Sequence, residues 1–375
     1  MSTLLLWMAV ACAPKAPPAS LLEPGGEGVA RASGDATLLL QGFDVRWHAR
    51  PHRISGLGFG ASGTDDGTGQ LGGTLWGRIR GGTWASGVAA TDVASMQVKY
   101  GAVQASSIEV AAGRASLTLR GALSKRDSDG ATAQTTVPVT VELPGVGPDA
   151  ALAVWITGFD FDTTASHPNG YTPRALAVQL SAPRRDEQGD VVVDVTARLD
   201  GAPVPDRRQD LGAYASTAVV DLVVVATEHG RSQRLSVAVD EEVEAFEEGA
   251  LRRAPRRLPL SSELHEGAYA AIGGLSGFSV EVDAGGPVAG RYLRALTIGV
   301  EDERLDVVRG TYEASAAVRF ANNGPIPRKM RLRASVDVTL LELPAGASVR
   351  RGRWLPPPGQ GAAVVYPTME RVDEP

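Results

Sequence analysis

Apolar and polar residues alternate with a period of two along much of this chain. Ser107-Ile-Glu-Val110, Ala115-Ser-Leu-Thr-Leu-Arg120, Leu235-Ser-Val-Ala-Val239, Phe278-Ser-Val-Glu-Val282 and Ala334-Ser-Val-Asp-Val-Thr-Leu340 each turn their apolar side chains to one side. A half-buried β-strand requires this pattern. Asp190–Leu199 and Ala218–Val225 are dense in β-branched residues and predict strands as well. Clusters of Gly, Asp, Asn and Pro interrupt these runs at short intervals, which suits β-sandwiches better than βαβ units. One segment departs from the pattern. Residues 240–257 are acidic first and basic last, which fits either a short helix whose charges complement its dipole, ended by Pro255, or a charged linker.

Several short motifs recur in the same order. Gly42-Phe43-Asp44-Val45 returns as Gly158-Phe159-Asp160-Phe161 and as Gly277-Phe278-Ser279-Val280, at steps of 116 and 119 residues. Arg53-Ile54-Ser55-Gly56-Leu57 lines up with Arg174–Val178 and Arg294–Ile298. Gly77-Arg78-Ile79 lines up with Ala197-Arg198-Leu199 and Val318-Arg319-Phe320, and the last two run on into Pro203-Val204-Pro205 and Pro325-Ile326-Pro327. Val220-Asp221-Leu222 matches Val336-Asp337-Val338, with Thr91-Asp92-Val93 as the first copy. Nearly constant spacing predicts three β units of about 115–120 residues, the alternative being one large β domain whose strands look alike because they share alternation. In each, the Phe is expected to anchor the core beside a Gly that permits close approach or a bulge. The Arg is expected to face solvent with its stem over the sheet, and Pro-x-Pro to mark a strand edge.

The fold class read from this is all-β, built of tandem β-sandwich modules, three in number. Asp210-Leu211-Gly212-Ala213-Tyr214 resembles the tyrosine corner of immunoglobulin-like sandwiches, which implies an Ig-like or related module. The expected organisation is a leader at 1–11, a tether at 12–33, and modules at 34–147, 148–264 and 265–375 with the C-terminal tail.

Cys12 is the only cysteine, so no internal disulfide can staple the fold. It follows the apolar run Leu4–Ala11, which is far shorter than the roughly 20 residues that span a bilayer. Small residues Ala9-Val10-Ala11 directly precede it. This segment resembles the lipobox of bacterial lipoproteins. The resemblance implies cleavage before Cys12, lipidation of its thiol, and attachment to a membrane; Ala13 in place of Asp implies the outer membrane. The Pro- and Gly-rich stretch to Ser33 then serves as a spacer. A net charge of −6 offers no basis for nucleic-acid binding. Aromatic residues at 5% are too few for the two girdles of an outer-membrane barrel.

Assembled chemistry is sparse. His48, His52, His167, His229 and His265 form no HExxH and no close metal pair, and no nucleophile elbow or P-loop is present. Gly56-Leu-Gly-Phe-Gly60 is not followed by a helix that would present it to phosphate. The acidic segments Thr64–Gly69 and Asp160-Phe161-Asp162 are incomplete as calcium loops. No catalytic residue, metal ligand or cofactor is therefore expected. Binding is expected on loops, Gly60–Gly73, His167–Tyr171 and Gly285–Tyr292, with His167, Asn169 and Tyr171 offering an imidazole, an amide and an aromatic ring. The functional expectation is a non-catalytic scaffold or binding protein of the cell envelope, with an envelope protein or glycan as partner. The alternative is an envelope or extracellular hydrolase of glycan or peptide, with its site at a module junction.

Overall fold

The alternating segments are strands in the computed structural model, which describes residues 28–32, 37–47, 54–65, 71–81, 93–105, 107–122, 132–163, 171–203, 213–228, 230–244, 255–283, 292–323 and 329–354. Among the described residues there is no helix. The first stretch of chain supplies β1 (Gly28–Ala32), β2 (Thr37–Trp47), β3 (Ile54–Asp65), β4 (Leu71–Gly81), β5 (Val93–Gln104) and β6 (Ile108–Ala122). The second supplies β7 (Thr132–Val141), β8 (Ala151–Asp162), β9 (Tyr171–Leu180), the short β10 (Arg184–Arg185), β11 (Val191–Pro203), β12 (Ala213–Thr227) and β13 (Ser232–Glu244). The third supplies β14 (Arg256–Glu263), β15 (Ala270–Asp283), β16 (Tyr292–Asp306), β17 (Thr311–Asn323), β18 (Lys329–Leu343) and β19 (Ser348–Trp354).

All pairing between these strands is antiparallel, and it runs across the three stretches. One sheet has the order β1-β4-β3-β8-β12-β6, a second β7-β11-β9-β15-β18-β13, and a third β14-β17-β16-β2-β5-β19. The short β10 aside, which pairs with β11, each draws four strands from one stretch and two from the next, and the third borrows from the first to close the cycle. Among the described residues, the first two sheets join only where Ile54 meets Tyr171. The architecture is all-β and sandwich-like, with sheets facing one another over shared apolar side chains. β7 and β14 precede the sequence-drawn boundaries at 148 and 265, yet they pair with strands that follow those boundaries.

The Gly-Phe motif explains how the sheets meet. Phe43, Phe159 and Phe278 are fully buried, and their ring centroids lie 5.2, 5.5 and 5.1 Å apart pairwise. Phe59 stacks on Phe43 at 4.6 Å. Each Phe pairs with a strand from another stretch: Phe159 with Phe59, Phe278 with Val178, Phe43 with Ile298. The residue before each Gly, namely Gln41, Thr157 or Ser276, is skipped in the pairing with the neighbouring strand, which is a bulge. The Gly then lies against that other strand. A Cβ on Gly42 would fall 2.5 Å from Gly299 Cα, so no larger residue fits. On the opposite face of these strands a second cluster forms around Leu39, Trp155 and Ile272. Its crowding is relieved at Gly274, where a Cβ would come within 2.6 Å of Trp155.

The repeated arginines behave differently from the expectation. Arg319 lies two strands from Asp44, with Thr297 between them. It is buried rather than solvated, and its Nη2 donates to Asp44 Oδ1 at 2.5 Å and to Thr297 Oγ1 at 2.9 Å. Arg198 holds the corresponding position and bonds Asp200 at 2.5 Å and Glu281 at 3.0 Å. An apolar-flanked strand Arg reads as a snorkelling surface residue, but here an acid reaches it from a different segment. Two alignments also change. Arg174 and Arg294 are bulge residues of β9 and β16, and their counterpart in β3 is Ser55, not Arg53. Opposite Gly158 and Gly277 stand Asp221 and Asp337, while opposite Gly42 stands Lys99, so Asp92 is not the first copy.

Candidate functional site

The acidic segments and loops chosen from sequence do not assemble into a site among the described residues. Asp160-Phe161-Asp162 lies inside β8 rather than in a turn, and Gly60–Asp65 belongs to β3. Asp240–Glu244 continue β13, paired with Arg333–Lys329, so the charged segment begins as strand and not as helix. His167, Asn169, His48, His52, His229, most of Gly285–Tyr292, Asp210–Gly212 and the whole N-terminal segment with Cys12 lie outside the described residues. Tyr171 opens β9, opposite Ile54 and Pro203. His265 contributes its backbone N–H to Glu342 Oε2 at 3.0 Å. No group of three or more His, Cys, Asp or Glu gathers as metal ligands among the described residues.

A charged cavity of about 400 Å³ opens instead on the third sheet. β16 makes it possible. Between Glu301 and Arg304 this strand carries a bulge against β17, and Asp302 there has φ = 55°. That left-handed conformation is costly for most side chains and least so for Asp and Asn. A bulge re-aims the side chains around it. Here Glu301 and Glu303 come to face Lys99 of β5 and Arg351 of β19, with Asp302 and Arg353 also on the wall.

Glu303 is almost completely enclosed and receives four donors. Gln41 Nε2 and Arg351 Nε each reach its Oε2 at 2.6 Å. The Tyr312 hydroxyl and the Gly273 N–H reach Oε1 at 2.6 and 3.1 Å. One carboxylate thus ties β2, β15, β17 and β19 together. Burial and the adjacent Glu303 charge push the Tyr312 hydroxyl well above its ordinary range, so it stays a donor. Glu301 is bonded by Lys99 and lies 3.2 Å from Arg257, which also approaches Asp302 at 3.3 Å. Burial alone would raise the Glu301 pKa, but the Lys99 hydrogen bond and the surrounding cations hold it below the usual carboxylate range. Burial lowers Lys99, only partly offset by Glu301.

Sequence reasoning passed over Glu301-Asp302-Glu303. The available signal was three consecutive acids following the largely apolar run Ala295–Val300, where the matching positions in the other stretches, Ser181-Ala182-Pro183 and Ser62-Gly63-Thr64, carry no charge. Chemically the arrangement offers fixed donors and ion pairs for recognising a polar molecule. Comparison of the chain with protein-family models, with curated proteins and with solved structures found no match to any of them.

Proposed function

We propose that this chain is an extracytoplasmic lipoprotein, held at the outer membrane by a lipid on Cys12, whose β body is a non-catalytic binding or scaffold protein of the cell envelope. The observation that carries the reading of the body is the state of the cavity's acids. A hydrolase working through paired carboxyls keeps one of them protonated as the general acid. Glu301 is instead held ionised by Lys99 and its neighbours, and Glu303 has its oxygens occupied by four donors. Such groups are suited to binding and orienting a polar molecule. The lipobox-like Ala9-Val10-Ala11-Cys12 and the following Pro- and Gly-rich spacer support the anchor, and a chain with one cysteine leaves its thiol free for lipid.

Metabolic labelling with palmitate tests the anchor. The wild-type chain is expected to take up label and fractionate with membranes. Cys12→Ser is expected to lose both, because only the thiol accepts the diacylglyceryl group. Label that survives the substitution refutes the lipoprotein reading. Co-purification of the lipidated chain from its native membrane then tests whether its body holds a partner.

A further inference from the structure

We propose that the cavity between β5, β16 and β19 binds a small organic anion, with the ligand's carboxylate or phosphate group seated between Lys99 and Arg353. This deepens the binding-protein reading and does not depend on the membrane anchor. Three corresponding positions of the sheets differ in charge. Opposite the glycines of the three Gly-Phe motifs stand Asp221, Asp337 and Lys99. In the first two sheets the acid is matched from the outer strand. Arg114 on β6 meets Asp221 at 2.6 Å, while Arg234 on β13 meets Asp337 at 2.8 Å, with Ser236 at 2.5 Å. In the third sheet the outer strand still supplies a cation, Arg353, directly opposite the buried Lys99.

Like charges placed directly across a strand pair repel. Arg353 accordingly opposes protonation of Lys99, adding to the effect of burial. Glu301 attracts Arg353 only through space, since it bonds Lys99 and pairs with Arg257, while Glu303 pairs with Arg351 and accepts from its other donors. Arg353 is exposed to the cavity and has no paired carboxylate among the described residues. The carboxylate that pairs directly with the outer-strand arginine in two sheets is replaced by Lys99 in the third, beside the cavity. Its volume of about 400 Å³ exceeds the needs of a bare ion and lies in the range of small-molecule sites. The body of the ligand then meets Gln41 and the exposed Asp302, which favours hydroxyl or amide groups beside the anion.

Calorimetric titration of the full chain at fixed ionic strength tests this, with malate, inorganic phosphate and glucose as probes. Malate or phosphate is expected to saturate the wild-type chain, and the tighter of the two identifies the anionic group. Arg353→Ala should weaken that binding about tenfold or more, while Arg353→Lys retains most of it. The Arg353 side chain is exposed, so an unchanged denaturation midpoint of Arg353→Ala verifies that folding is intact. If neither anion saturates, or if Arg353→Ala binds them as well as wild type, the inference is overturned. Saturable glucose binding indifferent to Arg353→Ala would overturn the anion while leaving the binding-protein reading standing. The reading of the body as a binding protein falls separately, if the lipidated chain recovers no partner from its membrane.

Discussion

Truncating Phe159 to Ala removes the ring that touches most of its aromatic neighbours: Phe43 at 5.2 Å, Phe278 at 5.1 Å, and Phe59 and Phe161 at 6.0 Å. Its burial is worth about 2–3 kcal/mol in transfer free energy. The ring leaves roughly 100 Å³ unfilled, and at about 24 cal/mol per Å³ that cavity adds about 2.4 kcal/mol. A loss of about 4–5 kcal/mol is expected, read as a lowered urea midpoint with an unchanged slope. The sharper test is the pair. Phe159→Ala and Phe278→Ala each open the same space and each forfeit the same ring contact. The double variant should therefore cost about 1–2 kcal/mol less than the summed singles. Phe43→Ala combined with either should behave likewise, although the three residues are more than a hundred positions apart in sequence. Additivity to within about 0.5 kcal/mol, or separate unfolding transitions each sensitive to only one Phe, would refute the shared core.

The buried Arg319–Asp44 pair gives a second expectation. Arg319→Met should destabilise by about 3 kcal/mol in denaturant unfolding because it removes the buried cation from Asp44 Oδ1, Arg46 at 3.2 Å from Oδ2 offsetting part of the charge, and adding Asp44→Asn should recover part of the loss; no recovery would count against the pair as the cause. A third concerns acid. The folded-state pKa of Glu301 is depressed, so its contribution is fully present above the unfolded value of about 4.3 and is lost as pH falls through the lower folded value. Stability measured from pH 6 downward should therefore fall less steeply below about pH 4.3 in Glu301→Gln than in wild type, and parallel acid limbs would sink the assignment.

Strand character was legible in the sequence because a period of two is a local property. The Gly-Phe motif was legible for a related reason: a bulge, a close backbone approach and a core ring require those residue types wherever they occur, and all three copies occupy matching buried places. Alignment of the first stretch failed at Arg53 by two residues. A shift of two preserves which side chains face the core, so alternation alone cannot detect it. The bulge at Ser55 does.

What the sequence determined by itself is thus the all-β class, the strand-forming segments and the residues that anchor the core. Which strands become neighbours was a tertiary decision. Exchange of β3, β9 and β16 onto β8, β15 and β2 brings distant segments into register. That exchange converts Arg319 from an apparent surface residue into a buried partner of Asp44. The cavity depends on it too. Lys99, Glu301 and Arg353 are remote in sequence, and each looks like an ordinary exposed charge in its own strand. Electrostatic meaning comes from distance in space, and only the closing of the third sheet, β19 on β5 and β2 on β16, sets those charges face to face.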